Sequence, residues 1–403
     1  MRILLLNQFF WPDSSATSQL LTDLARHLVS EGHDVEVVCA NGSYAVTDAG
    51  QGPAVKVNRV KALPFGRGKI GRVLSYLSFY LLALIRCFAV KKPDLVVTLT
   101  TPPLLSLLGT LLQFIRRSRH FIWEMDVYPN VAVSLEYFKA RGLADHVTGA
   151  LADFSRRRSN GIIALGECMK DLLISRGIDA SKIYVADNWA DGRAITPRVR
   201  SFDAEALVLL YSGNLGLAHD LDTVTGAISN LRDDKRFRFE FVGNGGRRKD
   251  LEAFCSTQGL NTVFLRSYAQ RAKLGDSLGA GDIGLVTQID SCCGAVVPSK
   301  VYGLLAAGRP VLFIGPRQAT PARIIEQYGC GWQVDCGDVE GLTKLLLRLI
   351  ENREEIAIAA ALARETLLDN YDLPIGVARI SKILGVSRGK TRTSALVSTT
   401  YAR

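Results

Sequence analysis

The sequence predicts an α/β protein in which two doubly wound parallel sheets face a central cleft. Three observations support this prediction. Apolar runs of strand length alternate with amphipathic helical stretches along almost all of the 403 residues. Several of these runs are apolar at every position, as in strands that helices cover on both faces. Repeated strand–helix alternation gives right-handed βαβ units, and the stretch 188–205 interrupts it once, near the middle of the chain.

The first domain is predicted to span residues 1–187 and to contain seven strands. The apolar runs that predict these strands lie at 3–6, 35–39, 55–60, 95–99, 121–124, 161–164 and 183–185. Between them, residues 17–30 and 106–117 have the apolar spacing of helices that cover a sheet.

The second domain is predicted to span residues 206–370, with helical patterns at 220–231 and 339–350. In doubly wound folds, ligands bind beyond the carboxyl ends of the strands. Two Rossmann-like domains joined by the linker 188–205 should therefore bind ligands in the cleft between them. The six predicted strands of the second domain lie at 206–211, 238–242, 263–265, 283–286, 311–314 and 331–334.

The tail 386–403 carries four basic residues and no acidic one, and it is predicted to be disordered.

The composition excludes several classes of protein. Hydrophobic residues make up 48% and charged residues 22%, which excludes a largely disordered or collagen-like chain. The net charge of +10 favours anionic partners such as nucleic acid, acidic lipid or a phosphorylated substrate. The eight cysteines form no CxxC pair, and the five histidines add no metal-ligand spacing. We expect reduced thiols, no metal and, because the N-terminus lacks a signal-peptide pattern, a cytoplasmic chain.

Two glycine-rich turns follow neighbouring predicted strands of the second domain. Glycine lets backbone N–H groups approach phosphate oxygens, and a helix N-terminus adds a favourable field. We predict that both turns bind a nucleotide, that the N–H groups of 214–216 donate to phosphate and that His219 contacts it. Ordinary strand-to-helix turns are the alternative. The first turn contains Gly213, Asn214, Leu215 and Gly216, and the second contains Gly243, Asn244, Gly245 and the cation Arg247.

A lysine lies in the first turn of another predicted helix. The segment is Val297, Pro298, Ser299 and Lys300, and proline is favoured at a helix start. A lysine there is poorly placed against the helix dipole unless an anion is bound. Lys300 is therefore predicted to be catalytic and to bind phosphate, and the three residues before it are predicted to line the same nucleotide site. A solvated surface lysine is the alternative.

The ends of two strands in the first domain carry candidate groups for an acceptor. Glu124 and Asp126 lie at the end of one strand, and either carboxylate could orient or deprotonate a hydroxyl. Capping of the next element is the alternative for each of them. The predicted acceptor contacts, with packing as the alternative for Phe9 and Trp11, are Asn7, Gln8, Phe9, Trp11 and Tyr128.

Residues 59–92 combine positive charge with an apolar helix. Five basic residues and no acidic one lie in 59–72, a mostly apolar stretch covers 73–90, and two lysines follow. The stretch is shorter than the about 20 apolar residues that a bilayer span needs. We expect a helix that lies on an anionic membrane surface. A buried helix that covers the first sheet is the alternative, and the two are compatible.

Taken in order, these motifs resemble the nucleotide-sugar glycosyltransferases of family 4, which have the GT-B architecture. The resemblance covers about residues 1–385 and is closest to the branch of bacterial O-antigen and capsule enzymes that includes N-acetyl-fucosamine transferases. The segments that carry it are NQFFWP (7–12), LVSEGHDV (28–35), KPD (92–94), DVYP (126–129), NWAD (188–191), SGNLG (212–216) and PSKVYGLLAAGRP (298–310).

The resemblance implies a retaining, metal-independent transferase whose second domain holds the nucleotide sugar and whose first domain holds the acceptor. It implies that residues 371–385 form a helix that crosses back to the first domain. The expected substrates are a UDP-N-acetyl sugar and a saccharide on a polyprenyl diphosphate, used at the inner membrane surface. The sequence departs from the family where Ala295 and Gly303 replace two frequent glutamates, and where 217–220 replaces a frequent basic pair.

Three other functions stay open at the level of sequence. The net charge allows a nucleic-acid binder, although the basic residues are scattered and no nucleic-acid motif is present. Ala295 and Gly303 allow an inactive scaffold of the same fold. A sugar 2-epimerase shares the two-domain build and needs acid and base carboxylates in the cleft. We expect a transferase with no nucleic-acid partner.

Overall fold

The computed structural model describes residues 1–42, 52–64, 68–198, 206–267 and 274–387. Part of the predicted linker (199–205) and most of the predicted tail (388–403) lie outside the described residues. The strands are β1 (Arg2–Leu6), β2 (Asp34–Ala40), β3 (Lys56–Val60), β4 (Leu95–Thr98), β5 (Arg119–Trp123), β6 (Gly161–Ala164), β7 (Ile183–Val185), β8 (Leu207–Ser212), β9 (Phe237–Val242), β10 (Val263–Arg266), β11 (Ile283–Thr287), β12 (Val311–Ile314) and β13 (Gly331–Val334). The helices are α1 (Ala16–Ser30), α2 (Lys69–Ala89), α3 (Ser106–Arg116), α4 (Asn130–Ser134), α5 (Leu143–Arg158), α6 (Glu167–Ser175), α7 (Asp222–Asn230), α8 (Arg248–Gln258), α9 (Leu274–Gly279), α10 (Lys300–Ala306), α11 (Thr320–Tyr328), α12 (Val339–Glu351), α13 (Arg353–Thr366) and α14 (Leu373–Ile383).

These strands pair in parallel within two separate sheets. The first sheet has the order β3-β2-β1-β4-β5-β6-β7, and the second has the order β10-β9-β8-β11-β12-β13. In each sheet the chain order reverses beside the first strand, β1 or β8, which is the arrangement of doubly wound folds. The predicted fold class is confirmed, because each of the predicted strands overlaps an observed one.

Continuous apolar runs explain why helices cover both faces of the first sheet. In β1, Leu4 and Leu6 pack with residues of α2 and α3, whereas Ile3 and Leu5 pack with residues of α1. All four side chains are at most 1% exposed. Burial stabilises by about 1.5–3 kcal/mol for each such side chain. Alternate residues of one strand therefore contribute to two different cores.

The last helix, α14, packs on the first domain. Val377, Ile380 and Leu384 belong to the same core as Ile3, and α14 lies along α1. The first domain is therefore built from two separate parts of the chain.

The chain crosses between the domains twice, and the two crossings pair with each other. Ala190 forms a parallel bridge with Asp372. Trp189 lies beside this bridge, and its ring stacks on Trp123 with the ring centroids 5.7 Å apart. Its Nε1 donates a hydrogen bond to Asp23 of α1 at 3.2 Å. The crossing is thus hydrogen-bonded and packed against the end of the first sheet.

The two domains also touch beyond the end of β5. The N–H of Val127 donates to the carbonyl of Ala295 at 2.8 Å, and Asp126 forms an antiparallel bridge with Val296. Val297 is 9% exposed and packs into the core of the first domain. The side chain of Val297 is therefore used for contact between the domains, and its place in the nucleotide site stays a prediction.

Replacing Ile380 by alanine tests how much α14 contributes to the first domain. Ile380 is fully buried, so Ile380→Ala should lower the free energy of unfolding by about 2–5 kcal/mol through lost burial and a residual cavity. Ile358→Ala on α13 is the matched control, because that side chain is 57% exposed, and it should change the value by less than about 0.5 kcal/mol. Urea unfolding followed by circular dichroism measures both. Equal effects of the two variants would contradict the packing of α14.

Candidate active site

The two glycine-rich turns lie side by side and bond to each other. The N–H of Leu215 donates to the carbonyl of Asn244 at 2.8 Å, and the N–H of Arg247 donates to the carbonyl of Leu215 at 3.0 Å. The prediction that all of 214–216 offers N–H groups to a phosphate is therefore wrong for Leu215. Within the described residues, no hydrogen bond engages the N–H of Asn214 or Gly216, so these two amides remain candidate donors.

Two glycines allow the close packing of these turns. Gly245 has a φ of +152°, and a Cβ there would lie 2.3 Å from the carbonyl oxygen of Leu215. Gly213 has a φ of +132°, and a Cβ there would lie 2.5 Å from Cε of Lys300. Both φ values lie in the region that favours glycine. The glycine at 213 thus leaves the space that the Lys300 side chain occupies.

Lys300, in the first turn of α10, reaches the first glycine-rich turn and the end of β8. Its Nζ donates to Oη of Tyr211 at 2.7 Å, to the carbonyl of Asn214 at 3.0 Å and to Nε2 of His219 at 2.9 Å. All three acceptors are neutral, and burial lowers the pKa of Lys300 to about 7. An anion bound beside Nζ would favour the charged form of this lysine.

His219 holds Lys300 in place as a neutral side chain. Nδ1 of His219 lies 2.7 Å from the carbonyl oxygen of Thr287, to which it must donate, so Nε2 is the acceptor for Lys300. Burial and the charge of Lys300 lower the pKa of His219 to about 3. The prediction that His219 contacts a phosphate is corrected to a role in positioning Lys300.

Two residues that contact Lys300 or His219 could not be identified from the sequence as parts of the site. Tyr211 is 1% exposed, and its Oη donates to the carbonyl of Asn214 at 2.8 Å. Thr287 contributes only a backbone carbonyl. An aromatic residue at the end of a predicted strand is usually read as core, and a backbone group has no sequence signature at all.

The other predicted nucleotide-binding residues lie around this cluster. Arg247 donates from Nη2 to the carboxylate of Asp222 at 2.7 Å and from Nη1 to the carbonyl of His219 at 3.4 Å. Pro298 and Ser299 are partly buried just before α10. Gly243 follows the last residue of β9 and begins the second turn. Apart from Val297, the predicted residues therefore come from the two bonded turns and from the start of α10.

Asp126 is the candidate base on the acceptor side. Its N–H donates to Oγ1 of Thr100 at 3.1 Å, which holds it beside the end of β4. In the part of the chain that the structure describes, its carboxylate has no hydrogen-bond or ion-pair partner, and no three His, Cys, Asp or Glu side chains form a metal site. Burial, together with the nearby Glu124 carboxylate, raises the pKa of Asp126 to about 6. A base with that pKa is mostly deprotonated at neutral pH.

Glu124 has a structural partner instead of an acceptor. Its Oε1 lies 2.6 Å from Nη2 of Arg156, and both side chains are 3% exposed. Arg156 also bonds to Asp153 at 2.9 Å and to the carbonyl of Tyr128 at 3.0 Å. The prediction of Glu124 as a catalytic residue is therefore corrected: it fixes the end of β5, and its charge acts on Asp126.

Three of the five predicted acceptor contacts are buried. Asn7, Gln8 and Phe9 are at most 4% exposed, and Nε2 of Gln8 donates to Oγ of Ser75 on α2 at 3.0 Å. Gln8 thus links the end of β1 to α2. A role of these three buried residues as acceptor ligands stays a prediction. Trp11 and Tyr128 are partly exposed, and they stay predictions.

Known proteins resemble this chain in both sequence and fold. Residues 16–189 match the model of a family described as a glycosyl transferase 4-like domain. WbjE of Pseudomonas aeruginosa, named as a glycosyltransferase, is 25% identical over 307 residues, which are 72% of this chain and 74% of WbjE. WcaI of Escherichia coli strain K12, named as a colanic acid biosynthesis glycosyl transferase, is 23% identical over 396 residues, which are 91% of this chain and 96% of WcaI.

The fold is shared with HepE from Anabaena, which was solved in complex with UDP. The TM-score is 0.71 at 16% identity, over 96% of this chain and 100% of HepE. At that identity the likeness shows the fold. With the family match and the two relatives, it confirms the predicted GT-B fold and the predicted glycosyltransferase class.

Lys300 should titrate far below an ordinary lysine. A pKa of about 7 means that half of its Nζ groups are neutral, and reactive toward an amine reagent, near neutral pH. Lys344 is the matched control, because its ion pair with Glu340 raises its pKa. Competitive acetylation across a pH series, read by mass spectrometry, measures both titrations. If Lys300 and Lys344 titrated with the same midpoint, the lowered pKa of Lys300 would be contradicted.

Proposed function

We propose that this chain, a glycosyltransferase of the GT-B fold, moves a sugar from a UDP-N-acetyl sugar to a saccharide carried on a polyprenyl diphosphate. In this proposal the anomeric configuration is retained and no metal takes part. The product would belong to a bacterial surface polysaccharide such as O-antigen, made at the cytoplasmic face of the inner membrane. UDP is the nucleotide in the HepE complex, and WcaI is named for colanic acid biosynthesis, and both support this choice of substrates.

The donor half of the proposal depends on one observation, the partly buried Lys300 amine with three neutral partners. A diphosphate beside Nζ would supply the counter-charge that these partners lack. The candidate amides of Asn214 and Gly216 lie on the turn that Lys300 contacts. Donors that are fixed before the reaction stabilise the negative charge that develops on the leaving β-phosphate.

The acceptor half depends on Asp126. In this proposal its carboxylate accepts the proton of the acceptor hydroxyl. Asp126 bridges to Val296, four residues before Lys300, which supports a base and a donor site that lie near each other. The ion pair of Glu124 with Arg156 holds the strand end that carries Asp126.

A panel of nucleotides tests the donor assignment. UDP should raise the melting temperature more than GDP, ADP, dTDP or NAD, with or without EDTA, because a ligand that binds only the folded state stabilises it. Lys300→Ala should lose that shift and lower turnover by roughly a hundredfold, or about 3 kcal/mol, without unfolding the protein. Lys344→Ala, the matched control, should keep both properties. No shift with any nucleotide would contradict the proposal and favour the inactive scaffold.

The pH profile of transfer tests Asp126. A general base acts when it is deprotonated, and the pKa of Asp126 is raised to about 6. We therefore expect kcat/KM to fall about tenfold per pH unit below pH 6 and to level off above it. Asp126→Asn should remove this limb and lower kcat by roughly 10²–10⁴-fold. Glu136→Gln, at an exposed carboxylate of the same domain, should change neither, and an intact acid limb in Asp126→Asn would rule out Asp126 as the base.

Helix α2 supports the membrane part of the proposal. Its segment Ile70–Ala89 is long and apolar enough to cross a bilayer, with a mean hydropathy of 1.5. Of its most apolar stretch, 22% is buried. Phe79, Ala83 and Cys87 are nevertheless fully buried against the first sheet. A helix attached to a sheet along one side would contact a bilayer lengthwise with its other side.

Exposed apolar residues continue from α2 onto two neighbouring helices. The helices α2, α3 and α5 carry 13 of the 23 large hydrophobic side chains that are exposed in the described ranges. No acidic residue occurs in α2 or α3, and Lys91 and Lys92 follow α2, so an anionic bilayer fits this surface. We call it the apolar face, and it consists of Ile70, Val73, Leu74, Leu77, Leu81, Ile85, Leu111, Phe114, Ile115, Leu143, Val147, Leu151 and Phe154.

Flotation with lipid vesicles tests the apolar face. The full chain should float with vesicles that contain phosphatidylglycerol, and Leu77→Glu combined with Leu81→Glu should weaken binding by roughly tenfold or more, since it removes apolar contact and adds negative charge. Leu347→Glu combined with Ile358→Glu is the matched control, because these exposed leucine and isoleucine side chains lie on the second domain. Equal binding by the two double variants, or no binding by the full chain, would contradict the membrane proposal.

A further inference from the structure

Two cysteines from different domains lie close to each other where the domains touch. Cys168 lies in the first turn of α6 in the first domain, and Cys293 lies in the second domain, shortly before Lys300. Cys293 packs against the core of the first domain to which Cys168 belongs, and the two thiols are near enough to shift each other's pKa. Sγ of Cys168 also lies 3.5 Å from Oγ1 of Thr320, again in the second domain. Both thiols are free in the structure.

Glycines on both sides of this contact allow the two segments of the chain to lie close together. A Cβ at Gly294 would lie 2.5 Å from the carbonyl oxygen of Cys168, and a Cβ at Gly166 would lie 2.1 Å from Oγ1 of Thr320. Gly294 also has a φ of +73°, which favours glycine. Side chains at 166 and 294 would push the domains apart, so the local sequence permits the approach of the two thiols.

The environment makes the two sulfur atoms chemically different. Interaction with Cys293 and Thr320 lowers the pKa of Cys168, whereas the pKa of Cys293 is raised. Of the two thiols, Cys168 therefore loses its proton more readily, and the thiolate is the nucleophilic form. By contrast, burial raises the pKa of Cys39 to about 12 and that of Cys330 to about 11, so those thiols stay protonated.

We propose that Cys168 and Cys293 form a reversible oxidation site whose disulfide joins the two domains. The oxidant is a peroxide. The Cys168 thiolate attacks one peroxide oxygen, the O–O bond breaks, and a sulfenic acid and one water form after proton transfer. Sγ of Cys293 then attacks the sulfenic sulfur, the S–O bond breaks, and a second water leaves. In total, two thiols lose two electrons and two protons, and one hydrogen peroxide becomes two waters.

The disulfide would tether the segment that leads to Lys300 onto the first domain. Cys293 lies seven residues before Lys300, and Val297 between them already packs into the core of the first domain. A covalent link at this point would fix the width of the cleft through which donor and product pass. Oxidation should therefore slow transfer, and a dithiol should restore it.

Peptide mapping of the full chain tests the site. The protein is treated with a few equivalents of hydrogen peroxide, its free thiols are alkylated, and it is digested without reductant. We expect a Cys168–Cys293 linked peptide that dithiothreitol removes, while Cys255, a partly exposed cysteine of the second domain, stays alkylated. Cys293→Ser should give no linked peptide and should accumulate sulfinic acid at Cys168.

Two results would overturn the proposal. One is that Cys168 and Cys293 stay alkylated under conditions that oxidise Cys255. The other is that the linked peptide forms without slowing transfer, which would remove the proposed link between oxidation and cleft movement. The mapping uses wild-type protein and no nucleotide, so it stands even if the donor assignment fails.

Discussion

The pairing of the two segments that cross between the domains is the constraint on which the rest of the structure depends. Beside the bridge between Ala190 and Asp372, the Asp372 carboxylate accepts a hydrogen bond from the N–H of Gly192 at 2.8 Å. Arg364 donates to the carbonyl of Gly192 at 2.7 Å and to that of Ile195 at 3.0 Å. A loop of flexible chain could not hold two sheets in a fixed relation. Because the two crossing segments bond to each other, they connect the two sheets more firmly than a single loop would.

Two buried or partly buried cations, Arg156 and Lys300, differ in whether a carboxylate balances their charge. Arg156 is buried between the carboxylates of Glu124 and Asp153, which keep it charged, and removal of one partner from such a pair typically costs about 3–5 kcal/mol. The acceptors that Lys300 contacts within the described residues are neutral, so its charge depends on what else is near. Arg156 therefore holds a strand end in place, whereas Lys300 is suited to an anionic ligand.

The fold could be predicted from the sequence because local patterns determine it. Continuous apolar runs mark strands that are covered on both faces, and the break after residue 187 marks the start of the crossing. The place of Lys300 in the first turn of a helix could also be predicted from the proline before it, while its catalytic role stays a prediction. Its partner His219 was predicted with the wrong role, because the carbonyl of Thr287 that sets its tautomer is 68 residues away.

Contacts between distant parts of the chain also decide the surroundings of other side chains. Glu124 has the chemistry of a base, and only the position of Arg156, 32 residues later, shows that its charge is already compensated. Asn7 and Gln8 would look the same in the sequence whether they faced a ligand or a neighbouring helix. Cys168 and Cys293 show no spacing motif, because the contact between the domains and not the chain brings them together.

The packing of α14 on α1 has a consequence for the order in which the protein can fold on the ribosome. Synthesis proceeds from the N-terminus, and domains generally fold as units while the chain emerges. Here the apolar surface that Val377 and Ile380 cover belongs to the first domain, yet these residues are made after the second domain is almost complete. The first domain must therefore wait, with part of its core open to water, until the end of translation. The chain therefore has two domains, but the first cannot complete its core until the second has been synthesised.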